Sequence, residues 1–113
     1  MHDIAQALER RSIARTLAMH RLAVEKIRRD PELFEKARRT LARWRTIVCK
    51  STQPYLVEWE ALMNEGMDAC LTFALEDSEH AADMRQSSPL VCVLANEERL
   101  AFLKEWKRKV EAR

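Results

Sequence analysis

Glycine occurs once in this 113-residue chain and proline three times. Tight hairpins draw on Gly, Asn and Asp for backbone conformations with positive φ, so a sheet-rich fold cannot be assembled from so few turn residues. Helices joined by short connections remain as the economical solution. A chain of 113 residues that is 47% hydrophobic and 34% charged is too apolar for disorder and long enough to bury one real core. The expectation is an all-α protein, a compact bundle of four to six helices beginning with an antiparallel helical hairpin, in a single domain over residues 1–113.

The apolar periodicity divides the chain. Residues 2–29 lack Gly and Pro, and Ile13, Leu17, His20, Val24 and Ile27 recur at helical spacing on one face. Ile4 and Leu8 fall nearly opposite, beside Ala18 and Leu22. Either the helix breaks near Ser12, or it offers a second apolar stripe to another helix or another chain. Asp30-Pro31 then reads as an N-cap followed by a first helical residue. A second helix over about 31–50 carries Phe34, Ala37, Leu41, Trp44 and Val48 as a matching seam. Pro54 opens a third helix, with Tyr55, Leu56, Trp59, Leu62 and Met63 on its apolar side, and Gly66 ends it in a left-handed cap. A fourth helix over about 67–85 is expected to be interrupted near Asp77-Ser78. The run Leu90–Leu94 has no strand to pair with and is expected to be buried as an irregular or single-turn segment. Asn96 should cap a last helix whose core side is Leu100, Leu103, Trp106 and Val110.

The net charge of +2 conceals segregation. Residues 1–50 carry 13 basic against 6 acidic side chains, and residues 99–113 carry 6 against 2. Between them, residues 51–98 hold 10 acidic side chains and one basic one, Arg85. Blocks of this kind steer association with partners, and they can also pair with one another inside the fold.

Few constellations suggest chemistry. Lys36, Arg39, Arg43 and Lys50 fall within about 60° of one another on the second helix, opposite its apolar seam. That stripe is either a solvated helix back or a track for nucleic-acid phosphates. Trp44, between Arg43 and Arg45, resembles a base-stacking platform, but its place in the seam makes it a core residue. Arg15-x4-His20 fits the Arg-x(4–6)-His spacing of HEPN-like RNases, yet His20 lies in the apolar seam, where a neutral, hydrogen-bonded core histidine is commoner. Asp77, Glu79, His80 and Asp83 read as an acidic surface; no residues are assigned as metal ligands, no cofactor is expected and no catalytic residue is assigned. Cys49, Cys70 and Cys92 are odd in number and widely spaced, as free thiols of a cytoplasmic protein would be. No apolar run is long enough to span a bilayer, and no signal-peptide pattern opens the chain.

Two stretches carry a resemblance. One runs from Leu17-Ala18-Met19-His20-Arg21-Leu22-Ala23-Val24-Glu25-Lys26-Ile27-Arg28-Arg29-Asp30-Pro31 to Ala42-Arg43-Trp44. The other is Met84-Arg85-Gln86-Ser87-Ser88-Pro89-Leu90-Val91, followed by Leu94 and Glu97-Glu98-Arg99. Together they resemble short bacterial helical proteins of the antitoxin type, from type II toxin–antitoxin pairs. The resemblance implies an all-helical fold and a protein partner, such as a toxin enzyme, and carries no catalytic residues. The leading expectation is a non-enzymatic protein-interaction subunit that masks a cytoplasmic partner. A nucleic-acid-binding regulator and a HEPN-like RNase are the alternatives, and a homo-oligomer is compatible with each. Arg85, Gln86, Ser88, Pro89 and Leu90, a polar turn running abruptly into an apolar segment, are the expected partner-contact residues.

Overall fold

The computed structural model describes residues 2–112 and, among them, six α-helices, a single 3₁₀ turn and no strand. The helices are α1 (His2–Arg29), α2 (Glu32–Ile47), α3 (Gln53–Glu65), α4 (Met67–Ala74), α5 (Glu79–Arg85) and α6 (Asn96–Glu111); the 3₁₀ turn, Leu90–Val93, lies between α5 and α6. No helix among the described residues is long and apolar enough to cross a membrane.

The good helix formers of residues 2–29 do not break at Ser12; α1 is continuous for 28 residues. Asp30 and Pro31 separate it from α2, although Asp30 supplies no side-chain cap. Instead its carbonyl accepts from Leu33 N–H at 3.0 Å, and the Pro31 carbonyl accepts from Phe34 N–H at 3.0 Å. The buried side of α2 is Phe34, Ala37, Thr40 and Leu41. It meets α1 near the elbow and packs more fully on α3 and the 3₁₀ turn. The second helix stops at Ile47 rather than near residue 50, because Val48 turns to extended backbone.

Gly66 divides α3 from α4 at φ 133° and ψ 161°. This is outside the left-handed helical cap expected for it, in a region that only glycine occupies readily. The interruption near Asp77-Ser78 is present, and its cause is local: Ser78 Oγ accepts from Ala81 N–H at 3.1 Å, which restarts the chain as α5.

The core gathers Ala23, Val24 and Ile27 from α1 with Leu56, Trp59 and Met63 from α3, Cys70, Leu71 and Ala74 from α4, and Met84 from α5. Leu90, Val93 and Leu94 seal it, so the apolar run of the sequence is buried as a single 3₁₀ turn. Trp59 is fully buried, and its indole N–H donates to the Met84 carbonyl at 2.9 Å. Trp44 is half-buried against the same core. The last helix departs from expectation. No residue of α6 is buried, Leu100 is 66% exposed, and Leu103, Trp106 and Val110 are half-covered. Its N-cap is Ala95, not Asn96, and Glu98 reaches back to accept from Ala95 N–H at 2.8 Å.

An alanine at position 66 meets no atom within 4 Å, so crowding is absent and backbone strain alone opposes it. Gly66→Ala should therefore cost about 1–3 kcal/mol, read as a lowered urea midpoint with unchanged helicity in the folded baseline. Wild-type stability in this variant would contradict the backbone assignment.

Candidate functional site

Arg85 is the one cation of the acidic middle block, and it is 4% exposed. One guanidinium nitrogen donates to the Ala74 carbonyl and to the Glu76 carbonyl, each at 3.0 Å. The first is the last residue of α4, where a helix gathers partial negative charge and lacks intrahelical donors, and the second lies in the turn just past its cap. Burial lowers the Arg85 pKa, and Asp77 nearby opposes that fall. Ser88, 4% exposed, bends its hydroxyl to accept from Leu90 N–H at 3.1 Å, and Pro89 and Leu90 lie in the interior. Of the expected partner-contact residues Arg85, Gln86, Ser88, Pro89 and Leu90, only Gln86 is exposed. The segment is a structural joint rather than an offered surface, because carbonyls at and just past the end of α4 claim the cation and the core claims the apolar run.

His20 faces this joint from α1. Its Nδ1 donates to the Thr16 carbonyl at 2.8 Å, which leaves Nε2 as a buried acceptor without a partner. Burial, followed in a smaller opposing measure by the Thr16 bond and then by repulsion from Arg85, brings its pKa down to about 4. Fully buried and neutral at physiological pH, His20 cannot touch a phosphodiester, while Arg15 is exposed. The two do not form the paired acid–base constellation of an RNase.

The basic stripe is shorter than its sequence spacing implies. Lys36, Arg39 and Arg43 are exposed along α2 and take part in no ion pair among the described residues. Lys50 lies beyond the end of α2, in the turn before α3, and does not extend the stripe. Part of the basic block is neutralised internally, as Arg28 pairs with Asp68 at 3.2 Å and Arg45 with Glu60 at 3.6 Å. His80, read with the acidic cluster, pairs instead with Glu58 of α3, and no cluster of potential metal ligands occurs among the described residues.

The feature that periodicity alone could not reveal is an open groove of about 690 Å³ between the first half of α1 and the second half of α6. Leu8, Leu103, Trp106 and Val110 supply its apolar walls, and Arg11, Arg15 and Lys107 its cationic ones. Leu8 is itself 58% exposed, and Ile4, one turn earlier on α1, is 67% exposed. The second apolar stripe of α1 is thus real and only partly covered. Cys49, the exposed thiol, has Ser51 Oγ at 3.3 Å and Thr52 Oγ1 at 3.4 Å, and these bonds bring its pKa down to about 7. Burial pushes Cys70 up to about 12 and Cys92 upward as well. Comparison with protein-family models, curated proteins and solved structures found no match for the chain.

The joint makes two predictions. His20 has a folded-state pKa below its unfolded value, so the unfolded chain binds more protons between about pH 4 and 6.5. Stability should be complete above that window and should fall by on the order of 3 kcal/mol as pH drops through it. Urea titrations at several pH values check this, and a His20→Asn variant should lack that part of the slope. Arg85→Met should cost about 1–3 kcal/mol for each carbonyl deprived of its donor. A variant with wild-type urea stability would show that Arg85 is no structural joint.

Proposed function

We propose that this protein is a non-enzymatic protein-interaction subunit, antitoxin-like in acting by binding and masking a cytoplasmic protein partner. The observation that carries the proposal is the uncovered apolar side of α1 and α6. In a 113-residue domain whose other helices are closed over one core, Leu8, Leu103, Trp106 and Val110 stand around an open groove. A contiguous apolar surface rimmed by polar groups is what a docking partner covers. The charge blocks fit the same role: cations near the groove steer encounter and restrict which surfaces can dock. Masking requires no catalytic group, only steric occlusion of the partner's working surface.

A second reading draws on Lys36, Arg39 and Arg43, which are exposed and free of ion pairs among the described residues. Three cations along one helix can track phosphates without reading sequence.

One experiment separates the two. The tagged protein is recovered from its host under native conditions and its companions are weighed by intact-complex mass spectrometry. The interaction reading predicts a stoichiometric protein companion that Leu103→Asp releases, and that Lys36→Glu/Arg39→Glu/Arg43→Glu retains. Recovery with nucleic acid alone, lost in the second variant, would replace the first reading with the nucleic-acid one. Circular dichroism of both variants guards against unfolding, which the half-exposure of Leu103 makes avoidable.

A further inference from the structure

The partner's chemistry can be taken one step further, on the assumption that the interaction reading holds. Glu98, at the start of α6, pairs with Lys26 at 2.5 Å, and Lys26 also donates to the Val93 carbonyl at 3.0 Å. Further along, Leu103 borders the same hollow as Arg15 and Met19, and Val110 shares the groove with Leu8. Residue numbers rise along α6 as they fall along α1, so the helices run antiparallel. They are fastened at the Lys26–Glu98 end and leave the groove between them toward the other. Two antiparallel helices with a gap between them offer the ridges and grooves that a third helix packs into.

The charge of the walls selects the kind of helix. Arg11, Arg15 and Lys107 line the groove against one acidic residue, Glu111. None of the three cations belongs to an ion pair among the described residues, whereas Arg108 nearby is paired with Glu105 at 2.5 Å. The geometry points to an acidic amphipathic helix of the partner protein as the occupant of the α1–α6 groove, with its apolar ridge on Leu8, Leu103, Trp106 and Val110 and its carboxylates against Arg11, Arg15 and Lys107. A second copy of this chain does not fit. A two-fold contact through this face sets the same cations against themselves. Nor does the acidic block supply a free helix of the right kind: α4 and α5 are eight and seven residues long with their apolar sides in the core, and Glu58 and Glu60 of α3 are paired internally.

The test uses the full chain and two labelled synthetic peptides of about 18 residues, long enough to follow most of α6. Both carry Leu at helical spacing on one face; one has Glu on its remaining face and the other Lys. Fluorescence anisotropy should show the Glu peptide binding at least about tenfold more tightly than its Lys twin, with the preference shrinking as salt rises. Arg11→Glu/Arg15→Glu/Lys107→Glu should reverse the preference, Leu103→Asp should abolish binding of either peptide, and Lys36→Glu/Arg39→Glu/Arg43→Glu should leave both unchanged. Absence of binding, equal binding, preference for the Lys peptide, or loss of binding only in the α2 variant would each overturn the inference. A wild-type dimer in sedimentation that Leu103→Asp converts to monomer would overturn it as well, in favour of self-association. If the host companion is released by Leu103→Asp while the peptides show no charge preference, the interaction reading stands and the acidic-helix inference falls.

Discussion

The guanidinium of Arg85 is the contact on which this small bundle turns. It places a cation at the carbonyl terminus of α4, from a side chain that ends α5, directly across from His20 of α1. Two consecutive helices and the distant α1 are thereby required to agree on one position. A buried charge needs partners for its donors, and the Ala74 and Glu76 carbonyls take those of Nη1, while Nε is buried without one. Burial is what keeps the neighbouring His20 neutral, and the Arg85 charge adds to it in smaller measure, since a protonated His20 would be a second cation in a site closed to water. Trp59, bonded to the Met84 carbonyl one residue earlier, ties α5 to α3.

Around that joint the molecule has two grades of completeness. The second half of α1, with α2 through α5 and the 3₁₀ turn, is closed over a shared set of apolar residues. The first half of α1 and most of α6 are not. Lys26 fastens the beginning of α6 by its bonds to Glu98 and the Val93 carbonyl, but no residue of the helix is buried. The functional reading follows from this inequality: a chain able to bury Trp59 and Leu90 completely leaves Trp106 and Leu103 half in water, rimmed by unpaired cations.

Much of the fold was legible in the sequence because local chemistry decides it. The lack of Gly and Pro before Asp30 makes α1 long, Gly66 separates α3 from α4, and Ser78 restarts α5. Where the sequence misled, the deciding interaction was tertiary. Periodicity shows that Leu100, Leu103, Trp106 and Val110 share a face; it does not show whether anything covers that face. Composition marks Arg85 as an isolated cation in an acidic stretch, which suggests a surface, whereas its use by α4 carbonyls depends on how α4 and α5 fold back on each other. Lys50 was aligned with Lys36, Arg39 and Arg43 only for as long as α2 continued, and Val48 ends it. The α1–α6 groove had one sequence signal, the displacement of Ile4 and Leu8 from the main seam.

We propose a closed body whose unfinished flank a partner completes. Hydrogen–deuterium exchange across the whole chain, measured free and in the complex recovered from its host, tests it most directly. The account predicts slow exchange at residues 20–27, 56–63 and 81–85 in both states. Residues 4–15 and 100–110 should exchange fast in the free protein and become protected in the complex. Uniform protection of the free chain, or new protection confined to the exposed side of α2, would contradict it.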